Sequence, residues 1–163
     1  MGNKLESVKK KSQEGVNSFK ELKRMGDQTV GEVKSMKQIA DSLPSDVDDE
    51  ILDAARAVKE GTKKDATDYM HNTVETNLKE GQKHMDSSTS EARDQIGKNE
   101  KTSDAFKQMD GVAGFGRGAR ADGQAKIDKS TQEFNTAADT NTKEASEAES
   151  DFGKKLSDIS STF

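Results

Sequence analysis

Cysteine and tryptophan are absent from this chain, and proline occurs once. Without cysteine there is no disulfide framework, no thiolate nucleophile and no residue to report the redox compartment. Long apolar runs are missing as well. None approaches the ~20 residues that span a bilayer, and the N-terminal MGNKLESVKKK lacks the apolar stretch of a secretory signal. The expectation is a chain that stays cytoplasmic or leaves by a non-classical route. Gly2 would suit myristoylation, but that motif needs Ser or Thr at position 6, where Glu6 stands. Large aliphatic and aromatic residues are scarce. Leu, Ile, Val and Phe make 25 of 163 residues, below the ~20% at which disorder becomes a serious alternative. Net charge is only −5, so self-repulsion does not hold the chain open. A compact α/β or all-β enzyme of this length needs buried apolar strands that this composition cannot supply. A pI near 5.2 argues against a dedicated nucleic-acid binder.

What is present is helical. The single proline, Pro44, separates two long polar segments, and Ser45 is placed to cap the second, with Asp46 and Asp48 facing the positive end of the helix dipole. Five of the 13 glycines fall in residues 111–123. Each costs a helix ~1 kcal/mol relative to Ala, so this stretch reads as a loop. The prediction is an all-α, single elongated helical domain, a coiled-coil-like bundle. It has three long helices over about 4–43, 46–110 and 124–162, a turn at 44–45 and a Gly-rich loop at 111–123.

Apolar residues in each segment recur at steps of three and four, a helix period. A finer period of 11 links Val8, Phe19 and Val30, then Val58 and Tyr69, and also Val74, Met85 and Ile96. Eleven residues make close to three whole turns, so such a stripe stays nearly straight. A heptad register in the first segment requires Ser12, Gly15, Gly26 and Thr29 at core positions, which favours the straight-helix reading. The predicted interaction stripe is Val8, Phe19, Val30, Val33, Val58, Tyr69, Val74, Met85, Ile96, Phe134, Phe152 and Leu156, with Phe115, Arg117 and Arg120 as the notable loop residues. Phe115 is expected to plug a tight helix–helix connection. Residues 1–45 carry a surplus of basic side chains and residues 46–110 a surplus of acidic ones, so an antiparallel pair could gain register from complementary charge.

No constellation assembles an acid, a base and a nucleophile. His71 and His84 belong to no metal motif. The run Asp46-Val47-Asp48-Asp49-Glu50 starts like a calcium loop, but Ile51 stands where the turn glycine belongs and Ala57 where the bidentate Glu belongs. Gly116-Arg117-Gly118-Ala119-Arg120-Ala121 matches GxGxxA in letters, yet a polar helix precedes it in place of a buried strand. Arg117 and Arg120 retain the chemistry to touch a phosphate. No enzyme activity, cofactor or metal is expected.

Two resemblances stand at the level of pattern. The 11-residue repeats, with segments such as Ala57-Val58-Lys59-Glu60-Gly61-Thr62-Lys63-Lys64, resemble those of late-embryogenesis-abundant, synuclein and perilipin proteins, which implies folding on lipid surfaces or on drying. Residues 66–163 resemble the Trp-x-Gly helical-hairpin substrates of type VII secretion, with Phe115-Gly116-Arg117-Gly118-Ala119 at the turn. The chain lacks their Trp and their C-terminal Tyr-x-x-x-Asp/Glu, so no residue is carried over.

The leading expectation is a non-enzymatic structural or interaction protein. Its amphipathic helices would pack into a homo- or hetero-oligomeric assembly, because single stripes on such long helices leave apolar surface uncovered. The alternatives are a reversible lipid-surface-binding or stress-protective protein, and a helical substrate of a signal-peptide-independent, type VII-like secretion system. Protein is the expected partner, self or a larger assembly. A lipid surface is the second, and nucleic acid is disfavoured.

Overall fold

A computed structural model describes residues 2–112 and 114–163. It is an all-α helical bundle, 93% helical, with no strand among the described residues. Helix α1 spans Gly2–Asp41, α2 Asp49–Tyr69, α3 Glu75–Val112 and α4 Arg117–Thr162. A π-helical turn, Met70–Val74, joins α2 to α3, so residues 49–112 run as one helix of 64 residues.

The connections differ in detail from expectation. Leu43 precedes proline, which disfavours helix there, and α1 ends at Asp41. The turn then takes residues 42–48 in place of the expected pair 44–45. The cap moves from Ser45 to Asp48, whose carbonyl accepts from the amides of Ile51 and Leu52 at 3.0 and 3.1 Å. Asp49 and Glu50 supply the first-turn acids in place of Asp46 and Asp48. The predicted Gly-rich loop shrinks further. Gly111 is still helical and α4 resumes at Arg117, so Gly118 and Gly123 lie within a helix; Ala113 lies outside the described residues. Packing outweighs intrinsic preference at Gly123, where an added Cβ would come within 2.8 Å of the Phe106 ring.

The chain divides into two compact units. Unit 1 takes α1 up to Gly15 together with Gln82–Ala145. Its apolar centre is Val8, Ala92, Phe134 and Ala138, flanked by Leu5, Ile96 and Ala137. Farther along the α3–α4 hairpin the contacts turn polar. Asn99 donates to Thr131 at 3.1 Å, and Gln124 donates to Ser103 at 2.8 Å.

Unit 2 takes Val16–Gly81 and Ser146–Phe163. Its buried apolar residues include Phe19, Leu22 and Val33 from α1, Met70 and Val74 from the π-turn, Leu78, and Phe152 and Ile159 from α4. Two close approaches depend on glycine. The Phe19 ring lies against Gly81 and the Lys155 stem against Gly26, and a Cβ at either glycine would collide with that side chain.

Burial follows a seven-residue register. On α1 Val8, Ser12, Gly15, Phe19, Leu22, Gly26, Thr29 and Val33 are covered in alternating steps of four and three, and Val30 is buried beside Thr29 outside that alternation. On α4 Phe134, Ala138, Asn141, Ala145, Ala148, Phe152, Lys155 and Ile159 are covered in the same alternation. This is the a/d spacing of coiled-coil packing. Apolar spacing alone disfavours this register, because it brings Ser12, Gly15, Gly26 and Thr29 inside. In the fold they are inside, Ser12 half-buried and the other three buried. Gly26 accepts the Lys155 stem, and the Ser12 and Thr29 hydroxyls find partners, so neither is a penalty.

Candidate interaction surface

The expected stripe divides on folding. Val8, Phe19, Val30, Val33, Val74, Met85, Phe134 and Phe152 are buried. Ile96 and Leu156 are half-buried. Val58 and Tyr69 are corrections: they keep 54% and 40% of their surface exposed. The cause is register. Along α2 the half-buried positions are Leu52, Ala55, Lys59, Thr62, Lys63, Ala66 and Thr67, a face rotated away from Ile51, Val58 and Tyr69. The covered positions then run Ala66, Met70, Val74, Leu78 in three successive steps of four. In an α-helix each such step overshoots a full turn by about 40°. The π-turn at Met70–Val74 absorbs the extra rotation and returns Met70, Val74 and Leu78 to the core.

Unit 1 contains a polar layer with one residue from each of three helices. Ser12 donates to Asn141 Oδ1 at 2.6 Å and lies 2.8 Å from Ser88 Oγ. Ser88 donates to the Val8 carbonyl at 2.9 Å. Asn141 Nδ2 donates to Ser88 at 2.8 Å and to Thr89 at 3.2 Å. Beside this layer, Lys11 Nζ reaches Glu91 at 2.6 Å. That bond, assisted by Ser7, holds the Glu91 carboxyl below its ordinary value of 4.5. In unit 2 the buried Lys155 extends its ammonium to Asp151 and, at 3.2 Å, to Asp27. No side-chain nitrogen or oxygen buried among the described residues lacks a hydrogen-bond partner, as buried polar atoms require. The pairs Arg24–Glu21, Lys37–Asp41 and Arg56–Asp53 lie within one helix. They cannot set the register between helices.

The loop residues take different roles from those expected. Phe115 is 88% exposed and plugs nothing. The turn is closed by Arg120, whose guanidinium donates to the Asp110 carboxylate and to the Phe115 carbonyl. Gly116 occupies the left-handed region at φ +74°, a conformation suited to glycine. Arg117 is exposed in the first turn of α4. An open cleft of about 730 Å³ beside this turn is lined by Ser103, Phe106, Asp110, Arg120 and Gln124 among others.

His71 meets the Phe152 ring edge-on at 6.2 Å between centroids, and His84 lies 3.4 Å from Glu14. Among the described residues no cluster of His, Cys, Asp or Glu is arranged to hold a metal ion. No helix there is long and apolar enough to cross a membrane.

The apolar surface left open in unit 2 includes Ile39 and Leu43 at the end of α1 and its turn, and Ile51 and Val58 on α2. Helix α2 has no buried residue at all. In unit 1 it includes Met109, Val112 and Phe115 at the α3–α4 turn. No family model matches the sequence, and no curated protein or solved structure is significantly similar to it.

Proposed function

We propose that this chain is a non-enzymatic structural or interaction protein whose helices work within a homo- or hetero-oligomeric assembly. One observation carries the reading: within each unit, large apolar side chains stay outside the core where two helices pair without a third. Ile51 and Val58 on α2, and Val112 and Phe115 at the α3–α4 turn, are more than half exposed. Exposed apolar groups gathered in this way mark a surface for association. The buried polar groups satisfy one another, in the Ser12–Ser88–Asn141 layer and around Lys155. They serve packing, which agrees with a role that needs no chemistry.

A lipid-surface role is less well supported. It requires Val8, Phe19, Val74 and Met85 on a free face, and these residues are inside the bundle. The test pairs two measurements on the full chain. Native mass determination of the material recovered from its source is expected to give complexes above the 17.7 kDa of one chain. Far-ultraviolet circular dichroism is expected to change little when anionic vesicles are added. A lone monomer in the first measurement and a large vesicle-induced gain in helicity in the second would overturn the proposal in favour of the lipid reading.

A further inference from the structure

Helix α2 carries a second apolar seam besides the one turned toward the core of its unit. Ile51 and Val58 stand seven residues apart and are 53% and 54% exposed. Ala54 lies between them on the same side and is exposed, and Gly61 continues the line with open space beyond it. These positions follow the 51–54–58–61 spacing of a helix that packs on another helix. Small residues in the middle of such a line allow two helix axes to approach to the short end of the usual 8–10 Å.

Charge is sharply divided along the end of the preceding turn and the first 16 residues of α2, before Asp65 and Asp68 in its last turns. Residues 46–53 hold five acids, Asp46, Asp48, Asp49, Glu50 and Asp53, and no base. Residues 56–64 hold Arg56, Lys59, Lys63 and Lys64 against the single acid Glu60. The division makes the segment complementary to itself when reversed. A two-fold axis between Ala54 and Ala55 sets Ile51 opposite Val58 of the other copy, and the acidic stretch of each beside the basic stretch of the other. A two-fold contact requires this kind of self-matching surface. A parallel pairing would set like charges side by side. A lipid surface fits less well, since an interfacial helix carries basic residues along its polar face, and here one end is uniformly acidic.

We infer that the outer face of α2 binds a second copy of this chain, the two α2 helices lying antiparallel with Ile51, Ala54 and Val58 in the seam. This inference rests on the assembly reading above and gives it a specific partner. The decisive experiment is sedimentation velocity of the full chain over a hundredfold concentration range. The wild type is expected to shift with concentration toward twice 17.7 kDa. Ile51→Glu combined with Val58→Glu, both exposed and so harmless to the monomer fold, is expected to weaken dimerisation by at least about tenfold, with unchanged helicity by circular dichroism. Reversing the acids (Asp46→Lys with Glu50→Lys) is expected to weaken it too, and adding Lys63→Glu with Lys59→Glu, the positions opposite them across the two-fold axis, to restore it. Spin labels on Lys64→Cys, within α2, are expected on the order of 30 Å apart in the dimer, since position 64 lies about 9.5 residues from the two-fold axis on each copy, a separation of about 19 residues at ~1.5 Å each.

A wild type that stays monomeric at every concentration overturns the inference, and the assembly reading then stands or falls on the native mass alone. Self-association untouched by the Ile51 and Val58 changes overturns the α2 seam but leaves assembly intact. Failure of the second charge reversal to rescue the first, or spin labels close to ~10 Å as adjacent parallel axes require, overturns the antiparallel arrangement.

Discussion

Replacing Asn141 by Ala probes the polar layer of unit 1 directly. Asn141 accepts one hydrogen bond from Ser12 and donates one each to Ser88 and Thr89. A protein hydrogen bond is worth about 0.5–1.5 kcal/mol net, so three set an upper range of roughly 1.5–4.5 kcal/mol. The loss is smaller at two of the three. Thr89 is half-buried and can turn to water, and Ser12 keeps Ser88 at 2.8 Å. Alanine also favours helix over asparagine by about 0.5 kcal/mol. The expected loss for Asn141→Ala is therefore about 2 kcal/mol in urea unfolding followed by far-ultraviolet circular dichroism. Ser12→Ala should cost about 1 kcal/mol. Because the two residues share a bond, the double variant should lose less than the sum, with a coupling of at least about 0.5 kcal/mol. A loss under 0.5 kcal/mol for Asn141→Ala, or strict additivity of the pair, would show that the three residues do not form one network and refute the reasoning.

Three further outcomes follow from the burial pattern and the charges. Phe19→Ser and Val74→Ser should each cost about 2–4 kcal/mol, whereas Lys20→Ser and, at dilutions where the chain is monomeric, the exposed Val58→Ser should cost under about 0.5 kcal/mol; equal costs for Val58 and Val74 there would contradict the register observed on α2. Gly31→Ala, with open space around it, should raise the urea midpoint by up to about 1 kcal/mol of stability, while Gly81→Ala should lower it because the new methyl meets the Phe19 ring; the same sign at both sites would deny that close approach. The Lys11–Glu91 pair lowers the Glu91 folded value below 4.5, so its contribution is present above that pH and disappears as pH falls through the lowered value. Lys11→Met should therefore be less stable than wild type at neutral pH, by no more than about 1 kcal/mol for a half-exposed pair, and the gap should close in acid; a gap that persists at pH 2 would mean the ion pair is not its source.

Two parts of the sequence pattern misled for instructive reasons. The 11-residue spacing exists in the apolar residues, yet burial on α1 includes Gly15, Gly26 and Thr29. A reading weighted by hydrophobicity cannot see that glycine marks a core position when the large side chain it receives comes from a distant part of the chain. Gly26 receives Lys155 and Gly81 receives Phe19. The glycines of 111–123 misled in the opposite direction. Local preference called for a loop, and a packing contact with Phe106 keeps Gly123 helical. Ser12, Ser88 and Asn141 each sit in heptad step with apolar neighbours, and that placement marks them as interior.

Helical class, the absence of strands among the described residues and the break near Pro44 were determined by the sequence alone. Each depends on local forces: the three-and-four spacing of apolar residues, the missing β-rich runs, and the clash that proline imposes on the residue before it. Which side of each helix turned inward was decided by the tertiary structure. A helix surface carries more than one plausible stripe, and only the partner helices select among them. The π-turn at Met70–Val74 and the exposure of Val58 and Tyr69 arise from that selection. So does the meeting of Ser12, Ser88 and Asn141 across as many as 129 residues of chain, because hydrogen-bond partners so distant in sequence are brought together only by the packing of the helices that carry them.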